Sequence, residues 1–276
     1  MGTPDLSTRR WAPPVWGART YLMGILNVTP DSFSDGGQYL SPIDALAQAQ
    51  AMVREGADMI DVGAESTRPG ADTIPAKEEI ARLLPVLSAL TETLEVPISV
   101  DTYKAAVARK ALEAGAHVVN DIWGFQHDPA MAETVAEFGA GAVLMHNGRG
   151  AEYTGDIVSE VKRFLEQSVN IATGAGVDAA LIVLDPGIGF GKSVAQNLEL
   201  MRRLGELRSL GFPLLLGASR KSVIGKTLDL DVDQRLEGTL ATSVAGVQQG
   251  ADIIRVHDLQ ANQRAVRMAD AIYRHG

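Results

Sequence analysis

The strongest constraint on this chain is a recurrence. From residue 20 onward a short apolar run, a polar residue or pair, and a segment with helical spacing follow one another eight times. The apolar runs cover 21–26, 59–62, 97–100, 117–119, 141–145, 181–184, 213–216 and 252–256. They are close to continuously apolar rather than alternating. Strands buried on both faces read this way, which points to a parallel sheet. The first helix starts at Ser41, whose pairing with Asp44 is an N-cap signature, and presents Leu46, Ala49, Met52 and Val53 on one side before Gly56 ends it. The second spans 75–94, with Pro85 expected to kink or break it. The third, 104–113, stops at Gly115, and the fourth opens with Asp128 as cap and Pro129 in the first helical position. Further helical stretches cover 157–173, 193–210 and 235–249, and a last one closes the chain.

Eight strand–helix units predict an α/β fold, a (β/α)8 TIM barrel occupying 20–276 as a single domain, with 1–19 as a short N-terminal extension. A doubly wound open sheet is the competing arrangement. It would call for a Gly-x-Gly-x-x-Gly turn after the first strand, and none is there. The stretch Gly187-Ile-Gly-Phe-Gly191-Lys192 has the glycines of a phosphate loop without either standard spacing.

Composition narrows the chemistry. A formal net charge of −9, with no long Lys/Arg run, disfavours nucleic acid and membrane surfaces as partners. The absence of cysteine removes disulfides, thiolate nucleophiles and Cys-ligated zinc. Five scattered histidines with no His-x-x-x-His pair argue against a His-rich metal centre, so a metal here would be a hard cation on oxygen ligands. Residues 1–19 lack the apolar stretch of a signal peptide and no run is long enough to span a bilayer, so a cytoplasmic location is expected.

In such barrels the reacting groups lie where strands end. Here every strand end is polar: Asn27, Glu65 to Arg68, Asp101, Asn120, His146, Asp185, Lys221, and Arg255 with His257. Each alone has a dull explanation. An isolated Asp101 most often caps the next helix, Asn120 or Asp185 can close a turn, and a lone histidine is usually packed and hydrogen-bonded. One shared polar mouth explains all eight ends at once. Asp101, Asn120 and Asp185 suit a flat heterocycle with amino and carbonyl edges. Arg68, Lys221, Arg255 and His257 suit phosphate or carboxylate oxygens, and Asn27 with substrate phosphates suits Mg²⁺. The site therefore reads as one for an aminated heterocycle carrying a phosphoryl-type leaving group.

At these residues the chain resembles the dihydropteroate synthases, the sulfonamide targets of folate biosynthesis. The likeness runs from Met23 to Asp258 through Gly24-Ile-Leu-Asn-Val-Thr-Pro-Asp-Ser-Phe-Ser-Asp-Gly-Gly37, Glu65-Ser-Thr-Arg-Pro-Gly70, Ser99-Val-Asp-Thr102, Val119-Asn-Asp121, Leu184-Asp-Pro-Gly187, Ser219-Arg-Lys221 and Arg255-Val-His-Asp258. Seven such motifs in order are a specific signal. The resemblance implies a transferase that condenses 6-hydroxymethyl-7,8-dihydropterin pyrophosphate with 4-aminobenzoate, releasing pyrophosphate. It places the pterin against Asp101, Asn120, Asp185, Lys221, Met145, Phe190, Gly217 and Arg255. The pyrophosphate falls to Asn27, Arg68, Arg255 and His257, and Mg²⁺ to Asn27. The 4-aminobenzoate falls to Phe33, Thr67, Pro69, Ser219 and Lys221. Asp101 and Asp35 would stabilise a cation formed as pyrophosphate leaves, and 29–37 and 66–70 would act as paired lids. The family commonly forms homodimers through late helices, and the 236–247 face is compatible with that. Trp123 and Phe125 are bulkier than the small residues usual after Asn120-Asp121. A methyltetrahydrofolate methyltransferase-like barrel could share the pterin acceptors, but has no need of the Asn27 loop or of Ser219-Arg-Lys221. A regulatory pterin-binding barrel would be expected to lack a leaving-group residue. A phosphate-binding lyase barrel would carry its Schiff-base lysine within a strand.

Overall fold

The computed structural model describes residues 11–28, 41–65 and 73–274. Eight strands form one parallel sheet: β1 (Tyr21–Asn27), β2 (Met59–Gly63), β3 (Ile98–Asp101), β4 (Val118–Asp121), β5 (Gly141–Met145), β6 (Ile182–Asp185), β7 (Leu215–Leu216) and β8 (Ile253–Val256). Hydrogen-bonded order runs β6-β5-β4-β3-β2-β1-β8-β7, and a single parallel bridge from Leu184 to Leu214 brings the two ends together as a (β/α)8 barrel. Helices α1 (Pro42–Arg54), α2 (Ala76–Thr93), α3 (Ala105–Glu113), α4 (Met131–Phe138), α5 (Ile157–Gly174), α6 (Val194–Arg202), α7 (Ser222–Leu228), α8 (Leu236–Gln248) and α9 (Leu259–Tyr273) surround it. No described helix is long and apolar enough to cross a membrane.

Successive residues of a strand face opposite sides, so each strand feeds both the barrel interior and the layer under the helices. The lower interior is an apolar plug of Met23, Met59, Val118, Val143, Val183, Leu215 and Ile253, capped by Trp11. The Trp11 ring lies so close to Gly141 that even a methyl group there would overlap it. Trp16 meets Trp11 edge-on at 6.2 Å and Tyr21 at 5.8 Å, which ties the N-terminal segment to the barrel floor. The larger core lies between sheet and helices and includes Leu26, Ile60, Leu87, Leu144 and Leu184.

Four local expectations are corrected. The second helix is continuous through Pro85, which sits on its exposed side, where water can satisfy the carbonyl that loses its donor. The fourth helix begins at Met131, not at Pro129. Asp128 is used elsewhere: its carboxylate accepts from Ala105 N at 2.8 Å, at the start of α3, and from Ala130 N at 3.1 Å. The sixth helix stops at Arg202 and a 3-10 turn, Leu204–Leu210, takes over. The short α7 after Lys221 was not anticipated, since seven residues give too few turns to display a period.

Candidate active site

Two residues further along the strands, the interior changes character. Met59 gives way to Asp61, Val118 to Asn120, Val143 to Met145, Val183 to Asp185, Leu215 to Gly217 and Ile253 to Arg255. Register aligns Asn27 with Gly63, Gly63 with Asp101, Asp101 with Asn120, and Met145 with Asp185. The barrel thus brings Asn27, Asp101, Asn120, Met145, Asp185, Gly217, Lys221 and Arg255 to one mouth.

Arg255 holds this mouth together. Its Nε donates to Asp61 Oδ2 at 2.7 Å and its Nη2 to Asp101 Oδ2 at 3.0 Å. Asn120 Nδ2 donates to the same Asp61 oxygen at 2.9 Å, which turns the amide oxygen away from Asp61. Asp61 is fully buried, and a buried charge of this kind persists only when paired. Among the described residues, Asp61 Oδ1 and Asp101 Oδ1 are buried without a hydrogen-bond partner. Asp185 accepts from Gly187 N at 2.7 Å. Lys221 donates to Ile188 O at 2.6 Å and lies 4.8 Å from the centre of the Phe190 ring, with Arg149 at 4.9 Å from the same ring. Ile122, Met145 and Phe190 form the apolar wall, backed by Tyr103 and Trp123. A side chain on Gly217 would project between Asp185 and Arg255, so glycine leaves room there for a flat ligand.

Burial dominates the electrostatics. It pushes the Asp101 carboxyl up to about 7 against the pull of Arg255, with Asp61 reinforcing the rise. It raises Asp185 against the opposing pull of Lys221. It brings Lys221 down to about 8, with Asp185 opposing the fall. His257 Nδ1 lies 2.9 Å from Ser219 Oγ, which also accepts from His257 N at 3.2 Å.

Some expectations shift. His146 and Glu65 do not join the mouth. Met145 takes the inward slot on β5, so His146 faces outward, 3.1 Å from Tyr153 OH and edge-on to Phe164 at 4.8 Å. Burial, with Lys192 nearby, pushes its imidazole down to about 3. Glu65 turns to Tyr103 and Lys104. Phe33, Asp35, Thr67, Arg68 and Pro69, with both expected lids, lie outside the described residues.

Asp61 and Lys192 escape a reading based on strand ends. Asp61 carried a signal, a carboxylate inside the apolar run Met59-Ile-Asp-Val62. Lys192 is nearly buried beneath the 187–190 turn and donates to Gly187 O at 2.8 Å and Phe190 O at 3.1 Å. Only the fold shows that role.

A metal site can be judged from Asn27. Its Oδ1 and Asp101 Oδ2 both lie over Gly63, each 3.9 Å from where a Cβ would stand, so both face the mouth. No group of three or more acidic or histidine side chains able to hold a metal occurs among the described residues. One neutral amide oxygen fits Mg²⁺ held chiefly by substrate phosphates and water.

Comparison with known proteins agrees with this geometry. The pterin binding enzyme family matches residues 23–257. The dihydropteroate synthase of Clostridium beijerinckii is 50% identical over 259 residues, covering 94% of this chain and 96% of its own. That of Bacillus subtilis is 51% identical over 258 residues, covering 94% and 90%. A crystal structure of the Clostridium difficile dihydropteroate synthase, in the presence of pteroic acid, superposes with a TM-score of 0.92 at 51% identity, over 95% of this chain and all of that one. The Xanthomonas albilineans enzyme with 4-aminobenzoic acid gives 0.88 at 42% identity, over 92% and 93%. With its acceptors, cations and apolar wall converging at one end of the barrel, this chain belongs to the dihydropteroate synthase family of pterin-binding enzymes.

Proposed function

We propose that the mouth condenses 6-hydroxymethyl-7,8-dihydropterin pyrophosphate with 4-aminobenzoate, yielding 7,8-dihydropteroate and pyrophosphate, by a dissociative route. The observation that carries this reading is the convergence of Asp101, Asn120, Asp185 and Lys221 beside the apolar wall of Met145 and Phe190, with Asp101 Oδ1 buried and unpartnered among the described residues. A buried acceptor of this kind needs a donor, and the N–H groups of a reduced pterin supply one. Gly217 leaves the slot for the ring, and Arg255 is held alongside it by Asp61 and Asp101.

The C–O bond between the pterin methylene and the pyrophosphate breaks with its electron pair staying on pyrophosphate. The electron-rich ring shares the resulting positive charge, and ionised Asp101 stabilises it. The arylamine lone pair then forms the C–N bond, and the nitrogen passes its extra proton to solvent. Such an amine is nucleophilic at neutral pH, so no strong base is required. Arg255, His257 and Arg68 offset the charge of the departing group. Asn27, with the substrate's own phosphates, would hold Mg²⁺, which would supply further charge stabilisation to the departing group. Ser219 and Lys221, with Phe33, Thr67 and Pro69, form the 4-aminobenzoate side, and Asp35 assists the cation.

The enzyme acts as a cytoplasmic homodimer in this reading. Leu228, Val232, Met268, Ile272 and Tyr273 are exposed around the half-covered α8, which supports a second copy packing there. Light scattering that returns a monomer would overturn the dimer. The reaction is tested with purified protein, Mg²⁺, dihydropterin pyrophosphate and labelled 4-aminobenzoate. Labelled dihydropteroate is expected, with less formed after chelation. Folded, pterin-binding protein that makes none would overturn the assignment.

A further inference from the structure

The stretch Gly187-Ile-Gly-Phe-Gly191-Lys192 has the glycines and the lysine of a phosphate loop, yet its polar groups are already engaged inside the fold. Gly187 N donates to Asp185 Oδ1 at 2.7 Å, Gly189 N to Asn197 Oδ1 at 2.7 Å and Phe190 N to Gly187 O at 3.2 Å. Backbone N–H groups occupied in this way cannot cradle an anion. Gly187 and Gly191 have φ of 68° and 67°. A Cβ on Gly187 would stand 1.9 Å from His146 O, and one on Gly191 2.0 Å from the Gly148 carbonyl carbon. The turn therefore packs directly onto the backbone that leaves β5, and no ligand fits between them.

The lysine is turned inward too. Lys192 Nζ donates to Gly187 O at 2.8 Å and to Phe190 O at 3.1 Å, bridging the two ends of the turn. Three parts of the mouth hang on that turn. Gly187 N orients Asp185, Ile188 O accepts from Lys221 Nζ at 2.6 Å, and Phe190 supplies the apolar wall, with Lys221 4.8 Å from its ring centre. The bridged carbonyls do not need an ammonium for their own sake. Gly187 O also accepts from Phe190 N, and Phe190 O from Gly148 N at 3.3 Å. Burial is costly for the ammonium as well, bringing it down to about 7 against the pull of Asp185. A neutral side chain suffices to anchor the turn, as Asn197 does from α6 by accepting from Gly189 N and donating to Lys192 O at 3.1 Å. Fixing the distance between the Gly187 and Phe190 carbonyls accounts for a buried cation that anchoring alone does not require.

We infer that Lys192 is a positioning residue for the pterin: by bridging Gly187 O and Phe190 O it sets where Asp185, Lys221 and Phe190 stand, and it touches neither the pterin nor the pyrophosphate. This role rests on the proposed placement of the pterin against those three residues.

The full-length enzyme is titrated calorimetrically, with Mg²⁺ present, against dihydropterin pyrophosphate and separately against inorganic pyrophosphate, at a temperature where each variant stays folded. Lys192→Met keeps the length of the side chain and removes its charge. Both carbonyls keep a second donor, and Asp185, on which Lys221 and Arg255 act more strongly than Lys192, keeps both of those cations. Kd for dihydropterin pyrophosphate should rise about tenfold, since small misplacements of binding groups cost that order. Kd for inorganic pyrophosphate should stay within about twofold. Lys192→Arg, which can donate to both carbonyls, should recover most of the loss. Lys192→Gln, too short to bridge both, should give a smaller loss of the same kind and serves if Lys192→Met does not fold. A lowered melting temperature with parent-like affinity for both ligands would make Lys192 a stabilising residue only and overturn the inference. Equal losses for the two ligands would make it an anion ligand and overturn it as well. Asp185→Asn checks the placement. If it binds dihydropterin pyrophosphate as the parent does, the pterin lies elsewhere and the inference falls with that placement. If it weakens binding while Lys192→Met does not, the inference alone falls.

Discussion

The barrel interior holds two layers built on the same strands, two residues apart, with opposite chemistry. The lower layer is Trp11, Met23, Met59, Val118, Val143, Val183, Leu215 and Ile253. The upper layer is Asp61, Asn120, Met145, Asp185, Gly217 and Arg255, with Asp101 beside them. Burying each apolar side chain of the lower layer contributes about 1.5–3 kcal/mol. The charges of the upper layer are costly to bury and persist because Arg255 pairs with Asp61 and Asp101, and Asn120 donates to Asp61, leaving one oxygen of each carboxylate open among the described residues. Stability and function are thus stacked rather than segregated to different elements. The ion network also fixes the proposed pterin acceptors before substrate arrives, which limits the reorganisation left for the reaction.

The comparison breaks hardest at Asp61. Asp61→Ala leaves Asn120 without its partner and Arg255 with Asp101 alone. Stability should fall by about 3–5 kcal/mol, the cost of breaking a buried pair, and turnover should drop at least about a hundredfold. Urea denaturation and the labelled 4-aminobenzoate assay measure the two. Parent-like values in both would mean that the upper layer is not one coupled unit. Trp11→Ala probes the layer beneath. It should cost about 3 kcal/mol, the low end for deleting a buried aromatic, because Trp16 can close over part of the void. Both KM values should be unchanged at a temperature where the variant stays folded. A raised pterin KM would show that the plug tunes the mouth as well as supporting it.

Why the sequence displayed one layer better than the other follows from the same geometry. Eight apolar runs with polar ends were enough to expect the barrel, because strands buried on both faces need no alternation to be recognised. The polar ends Asp101, Asn120, Asp185 and Arg255 were legible as a mouth for the same reason. Asp61 was not, because it sits within its strand, and only closure of the barrel brings β2 and β8 to either side of β1, so that Asp61 meets Arg255. His146 looked equivalent to its neighbours, yet one step of the strand period turns it outward, while Glu65, two residues past the end of β2, is drawn away by Tyr103 and Lys104. Lys192 and Lys104 act on backbone carbonyls of other segments, and carbonyls leave no mark in a sequence.

The last predicted effect concerns protons. Burial pushes two neighbouring carboxyls, Asp101 in the mouth and Asp121 behind it, from an ordinary 3.8 up to about 7. For Asp121 the backbone N–H groups of Trp123 and Phe125 oppose that rise at 2.8 and 3.0 Å. A raised folded value means that the folded protein holds protons the unfolded chain has released. Both carboxyls therefore contribute stability that is complete below about pH 4 and is lost as pH climbs through about 7. Asp101→Asn should remove its share of that slope, and Asp121→Asn the other share, as denaturation at about pH 5 and about pH 8 would show. Ligand binding separates the two positions. An ionised carboxylate accepts from a pterin N–H more strongly than a protonated carboxyl does, so pterin affinity should rise as pH passes through about 7 and then level off. Asp101→Asn should flatten that rise while Asp121→Asn keeps it. Lys221, brought down to about 8, has the opposite sign, because its loss of charge would weaken binding at higher pH. Calorimetric titrations across this range therefore distinguish them. A rise retained in Asp101→Asn would remove Asp101 as the titrating acceptor. A fall above about pH 8 that Lys221→Met abolishes would assign the alkaline limb to Lys221.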